Sequence, residues 1–216
     1  MDRGILFIEI YKLFKRRRAW IGPVLVFLLI IISFPLTLDI NSDNPPQIYL
    51  SFIWISTLLV TMLGTELIFS DDFEDGSLEQ YAVNNQLIKV VFYKILVHWV
   101  LIGIPLAFVA FLFILSLGIS IQISSIALLC LIISNLIFIN FFSLGNALSL
   151  KKGSILGLLI TIPFLIPVLI VLGKMTTSAL LGLSLVGHLS LLVGVMILVA
   201  SFIPFIISFI LRTHLE

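Results

Sequence analysis

Five of the eleven acidic residues of this chain fall in one ten-residue stretch, Asp71-Asp72-Phe73-Glu74-Asp75-Gly76-Ser77-Leu78-Glu79-Gln80. Carboxylates at this density can hold a metal ion, trade protons, or dock a basic partner. Calcium fails on spacing. With Asp71 as first ligand, Asp75 and Gly76 fall in place, but Phe73 takes the third position and Ala82 stands where a bidentate Glu is needed. Three further positions carry ionisable side chains within or beside apolar runs, where they cost free energy and so become functional candidates. Glu66 lies about one turn before the acidic stretch. It is a candidate partner for Lys89 or Lys94, or an orienter of the loop. His98, beside Trp99, can ligate haem iron, relay protons, or hydrogen-bond a neighbouring helix. His188 is a candidate axial ligand to haem, and His214 is a tail residue.

Other chemistry is excluded by spacing. Lys151-Lys152-Gly153-Ser154 lacks the upstream glycine of a phosphate-binding loop. Gly182-Leu183-Ser184-Leu185-Val186-Gly187 has Val186 where a nucleophile elbow needs its second glycine. There is no HExxH. Cys130 is the single cysteine, so no internal disulfide, CxxC redox pair or CxxCH attachment exists. No catalytic residue and no metal ligand set is expected, and any nucleotide hydrolysis belongs to another chain.

The elements that position these residues must lie in a bilayer. Hydrophobic residues make up 61% of 216 positions and charged residues 11%, against about 25% charged in soluble domains. The mean hydropathy is +1.28. Six apolar segments, near 20–38, 48–69, 90–117, 121–143, 154–173 and 190–211, approach or exceed the roughly 20 residues needed to cross. Backbone groups in lipid must be satisfied within each segment, so these are helices and the chain is all-α. The run from Trp20 to Leu38 is too long for a secretory signal core and reads as a retained first span. The link at Gly118-Ile119-Ser120 is the weakest of the breaks.

Lys and Arg set the orientation. With the N-terminus inside, Arg3, Lys12, Lys15, Arg16, Arg17, Arg18, Lys89, Lys94, Lys151, Lys152 and Arg212 are inside and only Lys174 is outside. That bias places both termini and the acidic loop on the cytoplasmic side. Residues 1–19 read as an interfacial amphipathic helix with Leu6, Ile10, Leu13 and Phe14 on its apolar stripe and Glu9, Lys12 and Arg16 elsewhere. Residues 20–216 form the six-helix domain, with a cytoplasmic loop at 70–89. Asp39 to Pro46 is an outer connector. Pro163 and Pro167 should kink the fifth span, and Gly153-x-x-x-Gly157 lets a neighbouring helix approach closely.

Within the loop, Gly76 suits a left-handed break, and Ser77 with Gln80 makes a capping box for a second short helix. The expected element is helix, glycine break, helix, lying under the membrane. Its acidic exposed face includes Phe73 and Leu78, which suits a cytosolic partner with a basic, partly apolar groove. The alternative is that the acids only solvate the loop or pair with Arg16–Arg18. Apart from Glu66, Lys94 and His98 the span interiors are neutral, which argues against a wide polar pore and for an apolar cargo or a mechanical role.

Taken together, these residues resemble the CcmB family, the haem exporter protein B permease subunit of the cytochrome c maturation system. The likeness rests on Asp71-Asp72-x-x-Asp75-Gly76-Ser77-Leu78-Glu79-Gln80, His98-Trp99, Gly103-x-Pro105, Leu150-Lys151-Lys152-Gly153, Pro163, Pro167 and Phe34-Pro35-Leu36, in the family's order over nearly the whole chain. It implies an ABC-2-like permease of six transmembrane helices without its own ATPase, in a bacterial inner membrane or a mitochondrial one. It implies a CcmA-like ATPase partner in a two-plus-two assembly, CcmC- and CcmD-like membrane proteins alongside, and a CcmE-like haem chaperone acted on indirectly. Haem is then possible cargo, ATP is bound by the partner only, and residues 71–80 couple the two. No nucleic acid is implied. The competing readings are a permease for a lipid, polysaccharide or peptide, a non-transporting scaffold, and, weakest, a membrane enzyme.

Overall fold

The computed structural model describes residues 2–37, 46–150 and 154–215. The outer connector at 39–45 and Lys151-Lys152-Gly153 lie outside the described residues. Ten α-helices follow one another, with no strand among the described residues: α1 Asp2–Lys15, α2 Arg17–Thr37, α3 Pro46–Thr65, α4 Ser70–Glu74, α5 Ser77–Val83, α6 Leu87–His98, α7 Ile104–Ser116, α8 Ile121–Leu148, α9 Ser154–Leu180 and α10 Val186–Leu215. Six helical stretches are long and apolar enough to cross a membrane, as the hydropathy requires. The third is α6 and α7 joined through a five-residue π-helical turn, Trp99–Gly103.

That turn has a local cause. Pro105 has no N–H and its ring crowds the carbonyl four residues back. A widened turn just before it gives the ring room. The same turn is braced from α8, where the Asn135 amide donates to the Gly103 carbonyl at 2.8 Å and accepts from Thr61 Oγ1 of α3 at 3.3 Å. Trp99 Nε1 donates to the Ile132 carbonyl at 2.9 Å. One buried asparagine thus joins three spans. The link between α7 and α8 is real and tight: Gly118 takes a left-handed conformation (φ 75°), and Ser120 caps α8.

Helix α8 is the central post, packed by α3, α7, α9 and α10. A large apolar cluster built around Phe27, Trp54, Leu106, Phe138 and Leu172 fills the spans. A second, smaller cluster lies at one end, where Phe69, Leu78, Val91, Ile139, Ile207 and Leu211 meet. At the other end, Trp54 Nε1 donates to Thr176 Oγ1 at 2.9 Å and Gln47 Nε2 to Thr177 Oγ1 at 3.1 Å, pinning α3 to α9. Large apolar residues such as Leu29, Phe164, Phe202 and Phe209 stay exposed around the bundle, which is the expected face towards lipid tails.

Gly157 makes the close approach expected of it, while Gly153 lies outside the described residues. A Cβ built there would lie inside the van der Waals envelope of the Gly145 carbonyl oxygen. Helix α9 therefore meets α8 backbone to backbone, as small-residue packing in membranes allows. Helix α9 runs without a break through Pro163 and Pro167. Replacing Gly157 with Leu should separate α8 from α9 and lower the thermal midpoint of the detergent-solubilised protein, while Gly173→Leu, with open space at its Cβ, should leave the midpoint within error.

Candidate functional site

The chain leaves α3 at Thr65 and makes a turn over residues 66–69 whose main-chain groups need partners outside the helix. Asn146 on α8 supplies them. Its amide donates to the Glu66 carbonyl and accepts from the Phe69 N–H at 3.2 Å. Glu66 therefore orients the loop through its backbone. Lys94, one of the two partners expected for its carboxylate, directs its ammonium to two other carboxylates instead.

Helix α4 follows, and Gly76 (φ 75°) breaks it in the left-handed conformation that it suits. The cap of α5 differs from the expected capping box. Gly76 occupies the N-cap position and Ser77 is the first helical residue. The Asp75 carboxylate closes the helix start, accepting from the Ser77 N–H at 2.9 Å and the Ser77 hydroxyl at 2.6 Å. These two bonds hold the Asp75 carboxyl below its ordinary range. The left-handed glycine moves the helix start one residue on, so the oxygen above the free N–H belongs to Asp75, and Gln80 remains exposed. Helix α5 ends in a Schellman closure, with Gln86 N–H donating to the Tyr81 carbonyl, Asn85 N–H to that of Ala82, and Asn85 at φ 52°. Arg212, near the end of α10, donates to Asn85 Oδ1 at 3.2 Å.

Burial divides the stretch unevenly. Leu78, expected on the exposed face, is fully buried among Phe69, Val91, Ile207 and Leu211, and Phe73 packs half-buried against the same cluster. Starting α5 at Ser77 turns Leu78 towards the end of the bundle, where leaving water favours it by about 1.5–3 kcal/mol. Asp72 is also buried. What faces water is Glu74, Asp75, Glu79 and Gln80, with Val83 beyond them.

Asp72 is buried because cations meet it there. Lys94 Nζ of α6 lies 2.7 Å from Asp72 Oδ2 and 2.9 Å from Glu9 Oε2 of α1. Lys12 Nζ of α1 donates to Asp72 Oδ1 at 2.9 Å. The side chains of Glu9, Asp72 and Lys94 are 4%, 5% and 7% exposed. Two carboxylates and two ammonium groups thus make a neutral set, the condition for keeping charges out of water. Burial works against the Lys12 charge, but the bond to Asp72 and the attraction of Asp72 and Glu9 outweigh it and raise its pKa. At the more exposed edge Arg16 pairs with Asp71. The expected pairing of loop acids with the basic run therefore forms, through Arg16.

This arrangement also corrects the reading of α1. Its Ile5, Glu9 and Leu13 face the protein, while Phe7, Ile10, Tyr11 and Phe14 are exposed. The expected apolar stripe is split, because Glu9 and Lys12 are needed against α4 and α6. His98, one turn beyond Lys94, is buried and donates from Nδ1 to the Lys94 carbonyl at 2.8 Å; a carbonyl only accepts, which fixes the tautomer. The histidine is thus bonded within its own helix, and Trp99 makes the interhelical bond. His188 stands half-buried in the first turn of α10, beside exposed Val186 and Leu183. Among the described residues no group of three or more His, Cys, Asp or Glu side chains is arranged to hold a metal ion.

The residues that sequence reasoning passed over are Glu9, Lys12, Asn135 and Asn146 in these roles. Their signal was available in part. Glu9, Lys12 and Arg16 recur at spacings of three and four, one helical face, and an asparagine in a long apolar helix seeks a partner in the bundle. The partners themselves are far away in the chain.

Three relatives resemble this chain over most of their length. Heme exporter protein B of Pseudomonas aeruginosa is 32% identical over 203 residues, covering 93% of this chain and 91% of the relative. Heme exporter protein B of Haemophilus influenzae is 32% identical, covering 98% and 100%. The Escherichia coli K12 protein of that name is 28% identical, covering 97% and 96%. The family described as CcmB protein matches residues 5–214.

Lys94 is the keystone of the ionic set. Lys94→Met leaves Glu9 and Asp72 as buried carboxylates with too little positive charge, and should cost about 3–5 kcal/mol. Chemical or thermal unfolding of the solubilised protein should report that loss. The double change Glu9→Gln, Lys94→Met leaves Asp72 paired with Lys12, restores neutrality and should recover most of it.

Proposed function

This chain belongs to the CcmB family, and from that premise we propose that it is the permease subunit of an ABC-type complex in cytochrome c maturation, coupled to a separate ATPase through the 71–80 elbow. The single observation that carries the coupling is the split of the elbow. Asp72 and Leu78 bind it to the bundle, and Glu74, Asp75 and Glu79 stay in water. A charged, rigidly seated surface at the end of a membrane bundle is suited to receive a push.

The positive-inside bias supports a cytoplasmic elbow in a bacterial inner membrane. Arg16 meets Asp71 and Arg212 meets Asn85, so α1 and the last turn of α10 lie at the elbow's end of the bundle, in keeping with both termini being cytoplasmic. The partner is a CcmA-like ATPase in a two-plus-two assembly, with CcmC- and CcmD-like proteins beside it. ATP binds the partner, and this chain carries no catalytic role.

Mechanically, closure of the ATPase dimer presses on the exposed acids. The force enters α3 through the Asn146-held turn, α6 through Lys94, and α1 through Glu9, Lys12 and Arg16. These elements move together because separating them would strand buried charge. The work serves haem handling at the outer face, through release of the haem-loaded CcmE-like chaperone. Haem is the possible cargo, and His188 is the candidate contact at the end of the bundle away from the elbow.

Charge reversal tests this. Glu74→Lys, Asp75→Lys and Glu79→Lys together remove three exposed partners of up to about 1 kcal/mol each and add repulsion, so ATPase co-purification should fall about tenfold or more. Membrane insertion should be unchanged, and chaperone release should no longer depend on ATP. Undiminished co-purification would refute the docking role of this face.

A further inference from the structure

Helix α1 is amphipathic in the reverse of the usual sense. Its charged side chains face the protein and its apolar ones face away. Glu9, Lys12 and, just past the helix end, Arg16 are bonded to Lys94, Asp72 and Asp71. On the opposite side Phe7, Tyr11 and Phe14 are 70%, 60% and 56% exposed, flanked by Ile8 and Ile10. We propose that this outward face binds the anionic leaflet on the elbow's side, so that α1 straps the elbow to the lipid surface.

Positions 7, 11 and 14 are four and three apart and share one helical face, as do 9, 12 and 16 on the other. A surface helix in water turns its apolar stripe towards the core and its charges outward. Helix α1 does the opposite, because the acids and lysine of the elbow seat claim its polar face. Three rings left on the outside are stable only against an apolar medium. An interfacial helix finds that medium at the boundary of headgroups and acyl chains. The lipid-facing stripe is thus Phe7, Tyr11 and Phe14, and Leu13 is buried against the protein.

The first span fixes the depth of this face. Helix α2 begins at Arg17, one residue after α1 ends. Trp20, in its first turn, stacks on Phe14 with ring centroids 5.7 Å apart, and its Nε1 donates to the Phe14 carbonyl at 3.5 Å. On one straight helix residues six apart would stand about 240° apart around the axis, so the chain bends between them. The bend sets the outward face of α1 beside the start of a span, the level that tryptophan and tyrosine rings favour.

Charge selects the kind of leaflet. Between Gly4 and Arg18 the one carboxylate, Glu9, is buried, whereas Lys15, Arg17 and Arg18 are exposed. The Lys15 ammonium lies 5.9 Å from the centre of the Tyr11 ring, at the rim of the stripe. An apolar face rimmed by cations alone matches acyl chains under negative headgroups. Coupling to an ATPase plays no part in this assignment.

Labelling with an uncharged polyethylene-glycol maleimide, which stays out of the bilayer, tests it in nanodiscs holding one copy of the full chain and no ATPase. The parent chain gives the background, since Cys130 is buried. Phe7→Cys and Phe14→Cys, made separately, should react about tenfold or more slowly than Glu79→Cys in phosphatidylglycerol. Replacing that lipid by phosphatidylcholine should speed both reactions about fivefold or more, the preference carried by a surface cation, and leave Glu79→Cys unchanged. Adding Arg17→Gln and Arg18→Gln should remove most of the lipid dependence. Reaction at 7 and 14 as fast as at 79 in phosphatidylglycerol would place the face in water, open to a protein partner, and reject the leaflet. Equal rates in the two lipids, or a full preference surviving without the two arginines, would overturn the anionic selection.

Discussion

The protein depends on one physical constraint: charges brought out of water must be neutralised where they stand. Lys94 sits within the third span and can remain charged there only with carboxylates against it. Asp72 and Glu9 come from two other elements, and Lys12 balances the second carboxylate. The buried Glu9, Asp72 and Lys94 depend on one another, and the part-exposed Lys12 completes the balance. Helices α1, α4 and α6 are therefore joined to one another by ion pairs. A hydrophobic replacement of similar volume would be no less stable. The value of the ionic set is that it specifies a single arrangement of three short elements at a membrane surface.

The elbow has a second, apolar anchor. Leu78 and Phe69 lie in the cluster formed by α6 and α10, and Asn146 ties the preceding turn to α8. The stretch is thus attached to the bundle end by ion pairs and by apolar packing. The same division explains why its water-facing residues are acidic with little apolar area: the apolar residues of the stretch are used for seating.

Within the bilayer, α8 does a related task with neutral groups. Asn135 braces the π-helical turn before Pro105 through the Gly103 carbonyl, and Gly145 lets Gly157 come close. Water is absent there, so every disturbance of a helix must be repaired by a neighbouring side chain. Helix α8 is packed by α3, α7, α9 and α10.

The six spans were legible in the sequence because they follow from local quantities, the apolar runs and their lengths. The helix–glycine–helix form of 71–80 was legible too, since Gly76 sets its own backbone, and so was the close approach at Gly157, which needs only the missing Cβ. The family likeness came from the order of such landmarks. What the sequence could not decide was which side chains of the acidic stretch face water. Leu78 turned inward and Asp72 was buried because α10 and Lys94 occupy the space above them, 129 and 22 positions away for Ile207 and Lys94. Glu9 became part of the site for the same reason. A buried charge is defined by its partner, and tertiary structure alone brought these partners within 3 Å.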